Sequence, residues 1–444
     1  MIAGVPLPAH GVGAATELPL PFTDALIGAA VALVASFVAL LVLWRTPRLG
    51  RPAAGFALPR SVQAVADSNI TRAVLRGLGL LFAAYVTMSA LAGKNVDENP
   101  TPYVVFVIFW IGLVAGSLAF GPVWRLLNPL RTMTTLIGWV RAGGAEPAYR
   151  PIPRWLGYWP AAVGLVVFTW LELVYPRNIE NPLGPLITFF ACYAVVHLVA
   201  GFLFGPDWFT RGDAFEAYSS LVARLSPFGR RSTDRRLVIR NPLDGLAMTR
   251  GAPGLVAVVT VLFGSTMYDA LSGTSWWENH GPVSSSVGDV VLRTLVELGV
   301  ILAVAGSYVL ATRLSAPQPE ARASMPQTYA HTMVPILVGY AIAHYFSLAV
   351  FDGQLGLILL SDPLQTGANL FGLTGHAVNV FISASGIAAV EIGAIIVGHI
   401  LGVVAAHDRA TAVLPRQRLV RGQLPLLGLM VCYTVVGIYL FFVR

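Results

Sequence analysis

The chain has 444 residues, of which 56% are hydrophobic and only 11% charged, against roughly 25% charged in a soluble globular protein. That excludes a set of soluble domains. A mean hydropathy of +0.70 with 44 Gly and 30 Pro points to helices threaded through lipid, where both residues are more frequent than in soluble helices. Long apolar runs such as Leu255–Phe263 do not alternate, which rules against outer-membrane strands. The formal charge of +7 rests on 28 Arg and the single Lys94; it reports topology, and no nucleic-acid partner is expected. Cys192 and Cys432 both fall in apolar runs, so neither a structural disulfide nor a four-ligand zinc site is expected.

Runs of about 20 apolar residues, enough to cross a bilayer, fall at 23–44, 75–93, 103–124, 156–176, 184–205, 252–270, 288–311, 330–351, 377–403 and 424–443. The expected fold is all-α, a polytopic integral membrane helical bundle of about ten transmembrane helices. Residues 1–22 form an extracytoplasmic segment, 23–210 spans 1–5, 211–250 a cytoplasmic basic amphipathic loop, and 251–444 spans 6–10. Alternate connections hold 25 of the 29 basic residues, between Arg45 and Arg421. The others hold only Lys94, Arg177, Arg293 and the terminal Arg444, and carry carboxylates such as Glu17, Asp97, Glu98, Glu180, Glu278 and Asp362. The positive-inside rule then places both termini outside the cell's inner (plasma) membrane. Residues 1–9 have neither the charged start nor the apolar stretch of a cleavable signal peptide.

One sequence echo stands out. Phe120-Gly-Pro-Val-Trp124 closes the third span and Phe204-Gly-Pro-Asp-Trp208 the fifth. Gly-Pro ends a helix and Trp anchors at the interface, which suffices without a duplication of spans 2–3 and 4–5. The stretches that follow, Leu126–Val140 and Ala214–Leu225, read as short amphipathic helices lying on the cytoplasmic face.

Ionisable side chains within spans are costly and are functional candidates by default. At 1.5 Å per residue, Glu172 lies roughly 6 Å below the outer edge of span 4, His344 about 8–10 Å down span 8 and Glu297 about 12–14 Å down span 7. His197 and Glu391 lie about 20 Å down spans 5 and 9, and His399 near the inner boundary. Imidazole and carboxylate on several helices at one level is how bundles build metal sites. Glu172, Glu297 and His344 are therefore the expected ligands of a divalent transition metal, zinc or copper, and Glu391 and His197 the expected catalytic proton acceptors. The plainer alternative is interhelical hydrogen bonding, with Glu172 or Arg293 snorkelling to the interface. The Tyr268-Asp269 pair, Asp352-Gly-Gln354, His280 and His376 read as outer-loop residues. There is no His-Glu-x-x-His, Gly-x-Ser-x-Gly, P-loop or Cys-x-x-Cys motif, so function falls to dispersed residues.

Ala9-His-Gly11 with Leu18-Pro-Leu-Pro21, Gly264-Ser-Thr266 with Asp269 and the Trp276-Trp277 pair, and His331-Thr-Met-Val-Pro335 with Ala343-His-Tyr345 and Gly353-Gln354 resemble a family of bacterial, largely actinobacterial, membrane proteins known as fenitrothion hydrolases. The resemblance spans most of the chain and implies phosphoester hydrolysis. In those proteins the Ala-His-Gly motif follows a signal peptide, and a processed His10 would offer amine and imidazole as a copper-binding pair. Three functions are thus expected to compete. One is a metal-assisted hydrolase of apolar esters, in which the metal polarises the phosphoryl oxygen and activates water. Another is a transporter or metal-handling permease for a small apolar substrate or ion, using midplane His197 and Glu391. The third is a structural subunit bound to a membrane partner.

Overall fold

The computed structural model describes residues 21–145, 147–176, 181 and 183–442. Most of the predicted N-terminal segment, with the His10 motif and Glu17, lies outside the described residues, as do Arg177, Glu180 and Arg444. The chain is an all-α multi-pass membrane bundle. In order come α1 (Phe22–Leu43), α2 (Asn69–Ala92), α3 (Pro100–Phe120), a short α4 (Pro129–Arg141), α5 (Trp159–Leu173), α6 (Gly184–Phe204), a short α7 (Ala214–Val222), α8 (Leu255–Ser272), α9 (Val287–Leu314), α10 (Val334–Leu359), α11 (Ala384–Val413) and α12 (Leu419–Phe442). Among the described residues, nine helices, all of these but α4, α5 and α7, are long and apolar enough to cross a bilayer.

The tenth crossing is α5, whose 15 residues rise only about 22 Å. It still joins the two ends of the bundle. Just before its start the Tyr158 N–H donates to the Pro253 carbonyl (2.7 Å), while near its end the Trp170 indole donates to Thr294 (2.8 Å) on the opposite side.

Capping side chains set the boundaries that hydropathy misplaces. Ser68 and Asn99 accept from Ile70 and Thr101 N–H, starting α2 and α3 earlier than their apolar runs. Ser383 accepts from Gly386 N–H, so α11 begins at Ala384 and continues through His407 and Asp408. α10 runs on to Leu359, which puts Asp352-Gly-Gln354 inside the helix and not in a loop.

The arginine-rich connections gather at one end. Asp408 accepts from the Trp44 indole (2.9 Å) and Arg48 N–H (2.6 Å), Asp244 from Gly50 N–H (2.9 Å), and Arg409 donates to the Ala247 carbonyl (2.9 Å). There β1 (Phe56–Ala57), β2 (Phe228–Arg230) and β3 (Leu237–Ile239) form an antiparallel sheet in the order β1-β3-β2. At the other end Lys94 N–H bonds Gln365 (2.7 Å) and Asn95 bonds Asn181 (3.0 Å). Connections therefore alternate between a basic and an acidic face as the charge pattern requires. α8 and α10 are the most enclosed spans. α10 meets α11 backbone to backbone, since a Cβ on Gly339 would sit 2.4 Å from the Ala394 carbonyl, the close approach that small residues allow in membranes.

The Phe-Gly-Pro-x-Trp echo has a structural counterpart. Gly121 (φ +92°, ψ −160°) and Gly205 (φ +79°, ψ −177°) adopt nearly the same backbone conformation, one that disfavours any side chain. Each turn leads into a short helix capped by its own side chain, Asn128 for α4 and Asp213 for α7. The two helices then meet start to start through equivalent positions: Asn128 Nδ2 lies 3.4 Å from Asp213 Oδ2, and Arg131 Nη1 donates to Glu216 Oε1 at 2.6 Å. The turns, caps and first-turn contacts that follow α3 and α6 thus match position for position, and a simple Gly-Pro stop does not account for the matched contacts.

Neither short helix lies flat on the cytoplasmic face as the sequence predicts. α4 turns its polar side, with Arg131, Thr132 and Thr134, inward and exposes Leu136, Ile137 and Trp139. α7 is buried along nearly its whole length, its Phe215 set among Phe109, Trp110, Phe168 and Tyr193. The predicted cytoplasmic loop 211–250 therefore divides into an inserted part and a surface part beginning near residue 223. Buried ion pairs are worth little against an apolar replacement but much against a half-removed one. Arg131→Met should lower stability by about 3–5 kcal/mol, and Arg131→Met/Glu216→Met should recover most of that loss, read by thermal unfolding in detergent.

Candidate functional site

The last turns of α5 and α8 carry polar residues whose partners come from α9 and α10. α8 stays helical through Tyr268 and Asp269 up to Gly273, after which Thr274 caps the short helix Ser275–His280. Asp269, expected in a loop, is consequently only 6% exposed. Its Oδ2 lies 2.5 Å from Nε2 of His344, itself 1% exposed. The imidazole N–H donates to the carboxylate, which fixes the orientation of the ring.

Glu297 on α9 is fully buried. Its Oε1 accepts from Thr169 (3.1 Å), while Oε2 and the nearby Tyr268 hydroxyl have no hydrogen-bond partner among the described residues. Tyr268 lies within electrostatic reach of Glu297, Arg293 and Asp269, and Tyr345 within reach of Glu172 and Asp269. Glu172 also reaches Tyr218, which α7 holds against Trp110. Trp277 packs edge-on over Tyr268 at 5.8 Å.

Groups from α5, α8, α9 and α10 thus share one neighbourhood in the acidic-loop half of the bundle, but not as a metal cage. Among the described residues no three His, Cys, Asp or Glu side chains approach closely enough to hold a metal. Of the expected ligands Glu172, Glu297 and His344, the last is turned onto Asp269 and Glu297 onto Thr169. These residues do not fit the zinc or copper predicted from them.

His197 and Glu391, expected at one depth as proton acceptors, stand on helices with different neighbours. His197 Nδ1 accepts from the Trp208 indole (2.9 Å) and its ring packs on Tyr193 (4.1 Å). It anchors the second Gly-Pro turn. Glu391 is fully buried on α11, which packs with α1, α10 and α12, whereas α6 packs with α4 and α5. Because α11 starts at Ala384, Glu391 sits about 10 Å below its outer end, and His399, its Nδ1 on the Ile395 carbonyl (2.9 Å), takes the middle of the helix. His280 and His376 are exposed, as expected for loop histidines.

Sequence reasoning missed Asp269, Thr169 and the α4–α7 junction. Signals for two of these were present. Gly273-Thr274 marks a helix end followed by a cap, and Asp213-x-x-Glu216 is a helix-start signature.

At that junction Asp213 accepts from Glu216 N–H (2.6 Å) and from the Asn128 amide (3.4 Å). Comparison of the chain with protein-family models, curated proteins and solved structures gave no match. The functional reading therefore rests on these residues.

One measurement follows. Asp269→Ala leaves the buried His344 N–H without its acceptor and should cost about 1–3 kcal/mol, seen as a lowered melting temperature.

Proposed function

We propose that the chain is a transporter of the inner (plasma) membrane in which His344, Asp269 and Glu297 handle a proton or a small ion while a small solute passes. The observation that carries this reading is the buried His344–Asp269 pair, contributed by the two most enclosed spans. Titratable groups are retained at such depth where protons or ions move. Parallel repeats with interrupted helices are a common transporter plan. The duplicated Gly-Pro turns, the π-helical stretch Val104–Phe109 within α3 and the 3₁₀ turn Ala330–Met333 before α10 support it. In this scheme Asp269 orients the imidazole and offsets its charge when it is protonated. The unbonded Glu297 Oε2 is a neighbouring proton acceptor, with the Tyr268 hydroxyl in reach of both carboxylates.

A second reading is favoured by the same contact. An imidazole held by a carboxylate is a general base, and the resemblance to fenitrothion hydrolases supplies an apolar phosphoester as substrate. Among the described residues no three His, Cys, Asp or Glu side chains gather for the metal-assisted form of this reading.

The test uses purified protein in vesicles. Under an imposed proton gradient, wild type should accumulate a member of a small-solute panel together with protons, and His344→Asn and Asp269→Asn should lose at least nine-tenths of that uptake. Gradient-independent release of nitrophenolate from an aryl phosphotriester, lost in His344→Asn, would instead support hydrolysis. If both variants match wild type in both assays, neither reading stands.

A further inference from the structure

The basic face carries a second feature, remote from the His344 pair and independent of its function. Beyond α7 the chain makes the turn Ala223–Leu225, the β2–β3 hairpin and a short helix Pro242–Ala247 capped by Asn241. Arg240 follows β3, its N–H held by the Pro227 carbonyl (2.8 Å). Its guanidinium lies between two glycines. A Cβ on Gly229 would fall 2.3 Å from its Cζ, and one on Gly245 2.6 Å from its Nη2 and 2.4 Å from the Arg224 carbonyl. Space has been left for this side chain, so it is seated in the fold and not waving over the surface.

Arg224 is half-buried like Arg240, and the two lie within electrostatic reach of each other; Arg250, exposed, reaches Arg224. Among the described residues none of the three guanidiniums forms an ion pair. Arg240 Nε and the hydroxyl of Thr249, which precedes Arg250 in the chain, are buried with no hydrogen-bond partner among the described residues. Asp244 is within reach of Arg240, but its Oδ1 is already taken by Gly50 N–H (2.9 Å). Burial, together with the cationic neighbours, lowers both Arg224 and Arg240 from the usual guanidinium range. Clustered, partly desolvated cations with idle donors are unfavourable unless an anion joins them. The guanidinium fork matches phosphate oxygens two at a time.

We propose that Arg224 and Arg240, with Arg250 at the rim and Thr249 as an added donor, bind a phosphate-bearing anion at the basic end of the bundle. The phosphate can belong to a soluble compound or to an anionic lipid of the adjoining leaflet.

Thermal unfolding of the full chain separates these sources. Inorganic phosphate would be titrated in neutral detergent against chloride at matched ionic strength. In parallel, phosphatidylcholine nanodiscs would be compared with nanodiscs containing phosphatidylglycerol. A saturable rise in melting temperature with phosphate supports the soluble source. A rise only with phosphatidylglycerol supports the lipid. In either case Arg240→Gln and Arg224→Lys should lose at least nine-tenths of the affinity, while Arg236→Gln, exposed on the same hairpin, responds as wild type. If Arg240→Gln does not fold, Arg224→Lys, which keeps the charge and loses the fork, carries the comparison. No response to either probe, an undiminished response in Arg224→Lys, or an equal loss in Arg236→Gln would overturn the proposal.

Discussion

A bundle core has no water to solvate a charge, so a charged side chain persists there only where a partner meets it. The Arg131–Glu216 contact answers that constraint for two short helices at once. It ties the first turn of α4 to the first turn of α7, and Asn128 and Asp213 repeat the tie one turn earlier. With α7 fixed, Phe215 fills the aromatic cluster around Trp110 and Phe168, and Tyr218 comes within electrostatic reach of Glu172. The surroundings of the candidate site thus depend on a junction outside it.

Spans and the sorting of charge between the two ends were legible in the sequence, because each is a sum over many residues: a run of apolar side chains outweighs any single exception. Helix limits were less legible. Ser68, Asn99 and Ser383 start helices through single hydrogen bonds that hydropathy averages away. The 377 boundary is the instructive case. Placing it seven residues early moved Glu391 to the membrane midplane and His399 to the edge, and an apparent match in depth with His197 followed from that error.

The candidate site shows a different limit. Glu297 and His344 sit on helices that both pack against α8, but depth along a helix does not say where a side chain turns. His344 found a carboxylate that had been assigned to a loop, and His197 found the tryptophan of its own Gly-Pro turn. Packing settles such choices: α8 and α10 touch, as do α6 and the turn that follows it. The inverted polarity of α4 was hidden for the same reason, since an arginine beside apolar residues reads as a surface stripe unless its inward partner on another segment is known.

One consequence follows from α5. Its span of about 22 Å falls short of the roughly 30 Å of a bilayer's hydrocarbon, and Val163 and Val167 on its flank are open to lipid. Acyl chains beside it must compress or splay to meet it. The annulus there is accordingly pinched, and the distance between headgroup layers is smallest next to the helix that bears Glu172.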